Sequence, residues 1–146
     1  MSERIFVYTD GGARGNPGPA GSGVVVTDAS GTVLKRAHKA LGVATNNVAE
    51  YHGVILAFDT LEKMFSEKQL ASMDIEVRMD SELVVRQMNG IYKVKHPDLK
   101  LLFADISSAR LSTFPHVRFV HIPREKNKEA DKESNLAMDV SERMRS

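Results

Sequence analysis

The 146-residue sequence contains no cysteine and no tryptophan. Without cysteine the chain has no disulfide, no thiolate metal site and no cysteine nucleophile, so carboxylates and histidines are the strong metal ligands that remain. No segment approaches the ~20 consecutive apolar residues of a membrane span. The start of the chain, MSERIFVYTD, also lacks the long apolar stretch of a secretory signal. We therefore expect a cytoplasmic protein.

The chain also lacks a strong charge imbalance. Its net charge is +1 and its pI is about 8.0, so it has no overall basic excess of the kind found in histone-like nucleic-acid-binding proteins. Hydrophobic residues make up 42% of the sequence, and a chain of this length can bury a core of its own. We expect one globular domain spanning residues 1–146.

Two periodicities in the sequence predict its secondary structure. Alternating, β-branched and aromatic residues predict strands over 4–9, 21–27, 32–41, 74–80 and 116–123. Helical spacing of apolar residues predicts helices over 46–65, 81–88, 98–111 and 127–144. Three hairpin-connected strands followed by alternating helices and strands predict an α/β fold, with a mixed sheet and helices on its faces.

The first strand is predicted to stop at an acid, Asp10, and to open into a pliable segment, GGARGNPGPAG. Three more acids lie at element boundaries. Glu50 is predicted in the first turn of the long helix, Asp80 at the end of the fourth strand, and Asp131 in the first turn of the last helix. Sites in mixed sheets form where strand ends meet helix starts, so these acids are candidates for a shared site.

Each of these acids also has a purely structural interpretation. Asn47 and Glu50 have the spacing of a capping box, and Asp80 is placed to cap the helix that follows it. Acids in a first helical turn, such as Asp131, complement the helix dipole.

The sequence pattern around two of the acids weakens that interpretation. Glu50 shares a helical stripe with apolar residues, and Asp10 shares strand parity with Phe6 and Tyr8, so both carboxylates are predicted to point along largely covered faces. Buried acids need a counter-charge, and neither has an adjacent arginine or lysine. Oxygen ligands without cysteine favour Mg²⁺ or Mn²⁺ as that counter-charge.

Five segments of the sequence, in this order, resemble the signatures of ribonuclease H type 1, which cleaves the RNA strand of RNA–DNA hybrids. They are TDGGARGNPGPAG, ATNNVAEY, MDSELVVRQMNG, YKVKHPDL and PREKNKEAD. The resemblance spans nearly the whole chain. It implies a five-stranded mixed sheet, with three antiparallel strands joined by two parallel ones, and it implies that Asp10, Glu50, Asp80 and Asp131 are the four metal-binding carboxylates.

Such a site suits phosphodiester hydrolysis, because two divalent ions ~3.5–4 Å apart can activate water and stabilise the leaving 3′ oxygen together. Asp10 is the candidate bridge between the ions. Glu50 and Asp80 are expected nearest the leaving oxygen, and Asp131 nearest the attacking water.

Cleaving RNA and sparing DNA requires recognition of the 2′-hydroxyl. Glycines allow the backbone to approach the sugar, and asparagine amides can bind hydroxyls, base edges or phosphate. The resemblance places Asn16 and Asn46 in the minor groove and Thr45 at a DNA phosphate. The candidate substrate-binding residues in this part of the chain are Gly11, Gly12, Gly15, Asn16, Thr45, Asn46 and Asn47.

The sequence departs from the best-known bacterial members of that family in two places. The long basic protrusion after the fourth strand is replaced by the compact NGIYKVKHPDLK, in which Tyr92 is expected to face a DNA sugar and Lys93 and Lys95 to take phosphates. The loop before the last acid carries no histidine. Arg124 is the expected substitute for it, with His121 predicted to be an ordinary strand residue.

Three other functions remain open at this level. The first is an enzyme with the same site that also cleaves double-stranded RNA. The second is a catalytically silent nucleic-acid-binding domain, which would gain little from four acids where a phosphate must lie. The third is a structural module whose acids only cap helices. The leading expectation is a monomeric endonuclease that uses two Mg²⁺ or Mn²⁺ ions and leaves 5′-phosphate and 3′-hydroxyl ends.

Overall fold

A computed structural model describes residues 4–145 of the chain. Its five strands are β1 (Arg4–Ala13), β2 (Gly18–Asp28), β3 (Val33–Ala44), β4 (Asp74–Met79) and β5 (Val117–His121). Its α-helices are α1 (Asn46–Met64), α2 (Glu67–Ser72), α3 (Glu82–Met88), α4 (Pro97–Ser112) and α5 (Lys128–Arg145). A short 3₁₀ turn, Arg124–Lys126, precedes the last helix.

The strands form one mixed sheet in the order β3-β2-β1-β4-β5. β1 pairs antiparallel with β2, and β2 antiparallel with β3. β1 and β5 both run parallel to β4. This arrangement confirms the predicted mixed sheet, and it places β1 at the centre, where the antiparallel and parallel halves meet.

The two faces of the sheet are covered by different helices. One face carries the main core, in which Val7 of β1 and Val77 of β4 pack with Tyr51 and Leu61 of α1. α5 covers the antiparallel half on the other face, where it contacts β1, β2 and β3. Because helices lie on both faces of β1, residues near its middle can be reached from either side.

Two glycines let helices pack unusually close to the centre of the sheet. A Cβ atom on Gly11 would lie 2.3 Å from the backbone oxygen of Ala49 in α1, and one on Gly23 would lie 2.4 Å from the backbone nitrogen of Ser134 in α5. No real side chain tolerates such distances, so both positions require glycine for the helices to lie where they do. In the β1–β2 register, Gly23 is the partner of Asp10.

The glycine-rich segment is largely strand, contrary to the predicted pliable loop. β1 continues past Asp10 to Ala13, and β2 begins at Gly18, so only residues 14–17 form the connection. The extension follows from the antiparallel ladder, which continues through the pairs Gly12↔Gly21 and Ala13↔Ala20. Local sequence favoured a loop, but pairing with β2 determines the conformation.

The other predicted helices and strands are confirmed within a few residues at their ends, and two short elements were not predicted. One is α2, whose sequence signal is the capping box formed by Ser66 and Gln69. The other is the 3₁₀ turn before α5. No helix within residues 4–145 has the length and apolar character needed to cross a membrane.

The close approach at Gly11 predicts a large effect of adding one methyl group. Gly11→Ala should destabilise the protein by about 1–3 kcal/mol, because overpacking displaces the start of α1 from the sheet. The measurement is the unfolding free energy from urea titration.

Gly12→Ala is the matched control, since a Cβ at that position would meet the Met138 side chain at 3.5 Å and Asn46 Oδ1 at 3.9 Å, both ordinary contact distances. Equal stability losses in the two variants would contradict the packing explanation.

Candidate active site

Asp10 and Asp80 are placed side by side by the parallel pairing of β1 with β4. The register pairs Tyr8 with Arg78, and each acid lies two residues further along its strand direction. Asp10 lies within β1, which continues beyond the end of β4, and Asp80 directly follows the last residue of β4. The two carboxylates therefore share one face at the edge where the parallel pairing ends.

Glu50 reaches the same edge from α1. The helix begins at Asn46 with Thr45 as its N-cap, so Glu50 lies in the second helical turn and not, as predicted, in the first. The backbone of Ala49 and Glu50 packs directly over Gly11, next to Asp10 in the chain. This contact is what brings the Glu50 carboxyl group to the centre of the sheet.

Caps other than the predicted ones start the two helices next to these acids. The Thr45 side chain accepts a hydrogen bond from the Val48 amide at 3.3 Å, and the Ser81 side chain accepts one from the Val84 amide at 3.3 Å. The proposed capping box of Asn47 with Glu50 is therefore wrong, as is capping of α3 by Asp80. Helix capping therefore does not account for the carboxylates of Glu50 and Asp80.

Asp131 lies in the first turn of α5, as predicted, and its side chain is exposed. The start of this helix is fixed by Asn127, which is only 1% exposed. The Asn127 side-chain amide donates to the backbone oxygen of Thr9 at 2.8 Å and to Asp80 Oδ2 at 3.3 Å. Its backbone oxygen accepts from the Asp131 amide at 3.0 Å. Asn127 thus joins the edge of β1, Asp80 and the helix of Asp131.

Ser134 supports the site from the next turn of α5. Its hydroxyl is fully buried and lies 2.9 Å from Asp10 Oδ2 and 2.9 Å from the backbone oxygen of Asp131. The hydroxyl has a single hydrogen, so it can donate to only one of these two acceptors at a time.

Neither Asn127 nor Ser134 is among the site residues predicted from the sequence. The signal available for both was their spacing from Asp131, four residues before it and three residues after it, which is one helical turn in each direction.

The electrostatics of the site oppose ionisation of Asp10 and Glu50. Burial above all, together with Asp80 and Asp131, raises the pKa of Asp10 to about 7, against the lowering effect of the Ser134 hydroxyl. Burial and the charge of Asp80 likewise raise the pKa of Glu50 to about 7, whereas Ser81 and the positive charge of Arg124 oppose the shift. Asp80 is thus close enough to both Asp10 and Glu50 to repel their carboxylates.

The donor set fits a divalent cation. Glu50 Oε2 is buried and has no hydrogen-bond partner among residues 4–145, an unfavourable state for a carboxylate oxygen that a bound cation would relieve. Oxygen donors of this type are those that Mg²⁺ and Mn²⁺ prefer. Within residues 4–144, no three His, Asp or Glu side chains are already grouped tightly enough to coordinate one ion.

The predicted substrate-binding residues near the glycine-rich segment lie together beside the acids. Asn16 Oδ1 accepts a hydrogen bond from the Asn46 amide at 3.1 Å, and Asn46 Oδ1 accepts one from the Ala13 amide at 2.8 Å. Thr45 precedes Asn46, and Asn47 after it is exposed. These contacts join the 14–17 turn to the N-terminus of α1.

The three glycines of this segment differ in their surroundings. Gly11 packs against α1, Gly12 lies near Met138 and Asn46, and Gly15 is exposed with a φ of +95°, which favours glycine. For Gly11, packing against the helix by itself explains the absence of a side chain. Approach to an RNA sugar stays a prediction for all three.

The remaining predicted residues lie on the surface. Tyr92, Lys93 and Lys95 are exposed in the connection between α3 and α4, where the Arg86 guanidinium lies 5.5 Å from the centre of the Tyr92 ring. Arg124 is exposed in the 3₁₀ turn, and its charge reaches Glu50. His121 is an exposed residue of β5, as predicted, and is the register partner of Met79, next to Asp80.

Comparisons with known proteins identify similar sequences and structures. A family model described as reverse transcriptase-like matches residues 8–137. The bifunctional protein Rv2228c of Mycobacterium tuberculosis is 45% identical over 139 residues, which are 94% of this chain and 36% of that protein. Ribonuclease HI of Halobacterium salinarum is 36% identical over 137 residues, covering 93% of this chain and 65% of that protein. The chain thus spans only about a third of the length of the first of these relatives.

A solved structure is more similar still. LC11-RNase H1, isolated from compost by a metagenomic approach, has been crystallised in complex with an RNA/DNA hybrid. That structure matches with a TM-score of 0.89 and 55% identity, covering 94% of this chain and 98% of the other.

The repulsion among the acids predicts that removing one charge stabilises the metal-free protein. In EDTA at pH 8, Asp10→Asn should raise Tm by a few degrees, because the raised pKa means that ionised Asp10 costs folding free energy. The folded state holds the Asp10 proton more tightly than the unfolded state, so this cost grows as pH rises from about 4 to about 7. The gain in Tm should therefore disappear near pH 4.

Thermal unfolding followed by circular dichroism measures these shifts. Asp59→Asn, at an exposed carboxylate further along α1, is the control and should leave Tm unchanged at both pH values. A lower Tm for Asp10→Asn at pH 8 would contradict the electrostatic interpretation.

Proposed function

Because the chain belongs to the ribonuclease H type 1 family, we propose that it is a divalent-metal-dependent endonuclease that cleaves the RNA strand of RNA–DNA hybrids. The proposed products carry 5′-phosphate and 3′-hydroxyl ends. The observation that carries the proposal is the set of contacts among acids at one edge of the sheet, where Asp80 interacts with both Asp10 and Glu50, and Asp10 also interacts with Asp131. Within the described part of the chain, the buried Glu50 Oε2 has no hydrogen-bond partner.

The metal site is assigned to Asp10, Glu50, Asp80 and Asp131. Mg²⁺ or Mn²⁺ bound there would supply activation of water and stabilisation of the leaving oxygen. Asp10, which lies at the centre of the sheet and interacts with both Asp80 and Asp131, would hold the metal together with them.

Two side chains outside this set orient the carboxylates. Asn127 holds Asp80 in place through its amide, and Ser134 restrains Asp10 through its hydroxyl. Such hydrogen bonds restrict the rotamers of metal ligands, which supports a site that must hold a fixed geometry.

Selection of RNA over DNA is assigned to the residues that join the 14–17 turn to α1. Asn16 and Asn46 each use one side-chain oxygen to hold this junction, which leaves their NH₂ groups available to bind 2′-hydroxyls or base edges. Thr45 and Asn47 are proposed to contact the substrate beside them. Tyr92, Lys93 and Lys95, exposed on a separate connection, are proposed to contact the DNA strand.

Cleavage of labelled substrates tests the proposal directly. RNA–DNA hybrid, double-stranded RNA, single-stranded RNA and duplex DNA are incubated with Mg²⁺, Mn²⁺ or EDTA. We expect hybrid cleavage that requires the metal, and a loss of kcat by about a hundredfold or more in Asp10→Asn. Asp59→Asn, which removes an exposed acid from the same helix as Glu50, should retain wild-type kcat.

Other outcomes separate the alternatives. Equal cleavage of double-stranded RNA would broaden the substrate class, and tight hybrid binding without cleavage would indicate a silent binding domain. Robust hybrid cleavage by Asp10→Asn would overturn the proposed mechanism. The cytoplasmic location and the monomeric state expected from the sequence stay predictions.

The loop before α5 yields a separate prediction about turnover. Arg124 cannot exchange protons near neutral pH, but its charge reaches Glu50 and can attract a phosphate. Arg124→Ala should lower kcat about tenfold, and His121→Ala should change it less than twofold. Steady-state kinetics on the hybrid substrate measure both effects, and the reverse ranking would assign the role to His121.

A further inference from the structure

We infer that Arg14 is a positioning residue, which fixes the 14–17 turn and therefore Asn16 relative to the helix that carries Asp131. The inference rests on the proposed function in one respect, because that function is what assigns Asn16 to the RNA strand. The arrangement of Arg14 itself is read from contacts within the protein.

The 14–17 turn is already fixed to α1 on one side. Asn16 accepts from the Asn46 amide, and Asn46 accepts from the Ala13 amide just before the turn. At the base of the turn, the Arg14 amide donates to the backbone oxygen of Pro19 at 2.9 Å. These bonds fix the turn relative to the helix that bears Glu50 but not relative to the one that bears Asp131.

The Arg14 side chain supplies the second attachment, to α5. Its guanidinium lies 2.6 Å from Asp139 Oδ1 and 3.2 Å from Glu142 Oε2. It also donates to the side-chain oxygen of Asn135 at 3.2 Å and to the backbone oxygen of the same residue at 3.3 Å. A guanidinium has several donors in a fixed plane, so four contacts to one helix hold it in a single orientation.

Asn135 continues this connection to the active site. Its side-chain amide donates to the backbone oxygen of Asp131 at 2.9 Å, while its side-chain oxygen accepts from Arg14. A direct hydrogen-bonded path therefore runs from the 14–17 turn to the helical turn that holds a metal-binding carboxylate. This path would keep the RNA-contacting group at a fixed distance from the reacting phosphate.

The contacts of Arg14 are expected to matter for the position of the turn more than for the stability of the protein. Exposed pairs contribute only about 0–1 kcal/mol to stability, and Asp139 and Glu142 are each about half exposed. The expected consequence of losing Arg14 is therefore a misplaced turn, visible in substrate affinity, with little change in global stability.

The test uses the charge-balanced double variant Arg14→Gln/Asp139→Asn, which removes the ion pair and leaves the net charge unchanged. We expect KM for the hybrid to rise about tenfold with kcat within twofold of wild type. In the free protein, the backbone amides of Arg14 and Asn46, which donate to Pro19 and Asn16 and so hold the turn, should exchange with solvent faster. This readout needs neither metal nor substrate.

Arg36→Gln/Glu129→Gln is the matched control. Arg36 lies on β3 and pairs with Glu129 of the same helix at 3.0 Å, away from the 14–17 turn, so this variant should change neither KM nor amide exchange.

Two results would overturn the inference. Unchanged KM and amide exchange in the Arg14 variant would show that Arg14 forms only an ordinary surface ion pair and does not position the turn. A fall of about one in the slope of log KM against log salt concentration would show instead that Arg14 binds a phosphate directly. If the wild-type protein does not cleave hybrid, the proposed function fails, while amide exchange still reports whether Arg14 fixes the turn.

Discussion

The close packing of two helices against the middle of the sheet is the constraint on which the rest of the structure depends. Gly11 admits the backbone of α1 on one face, and Gly23 admits that of α5 on the other. The surroundings of Asp10 depend on both contacts, because Asp10 precedes Gly11 in β1 and pairs with Gly23 across the ladder. The same two approaches that complete the packing therefore bring Ser134 to the central carboxylate and Glu50 to the neighbouring Asp80.

This packing concentrates negative charge at the cost of folding stability. Burial and mutual repulsion raise the pKa values of Asp10 and Glu50, so the site resists ionisation when no cation is present. Active sites commonly reduce folding stability in this way, because groups arranged to bind a ligand are less favourable without it. Here the hydrogen bonds of Ser134 and Asn127 hold carboxylates that would otherwise move apart.

The proposed substrate-binding surface is built on the same framework as the metal site. The 14–17 turn is joined to α1 through Asn16 and Asn46, and to α5 through Arg14. Both helices also carry acids of the proposed metal site. Recognition of an RNA sugar and cleavage of its phosphate would then depend on one rigid unit, which suits a reaction in which small displacements are costly.

The sequence by itself determined the types and order of the main elements, and it singled out the four acids proposed for the site. Periodicity is a local property, and the acids lie within motifs that resemble one family. Only the tertiary structure decided that the glycine-rich segment is strand, that Thr45 and Ser81 are the caps, and that Asn127 and Ser134 support the site. The physical reason is distance along the chain. Ser134 and Asp10 are 124 residues apart, and their contact depends on a helix packing over a glycine in a third element. No local pattern encodes such a contact.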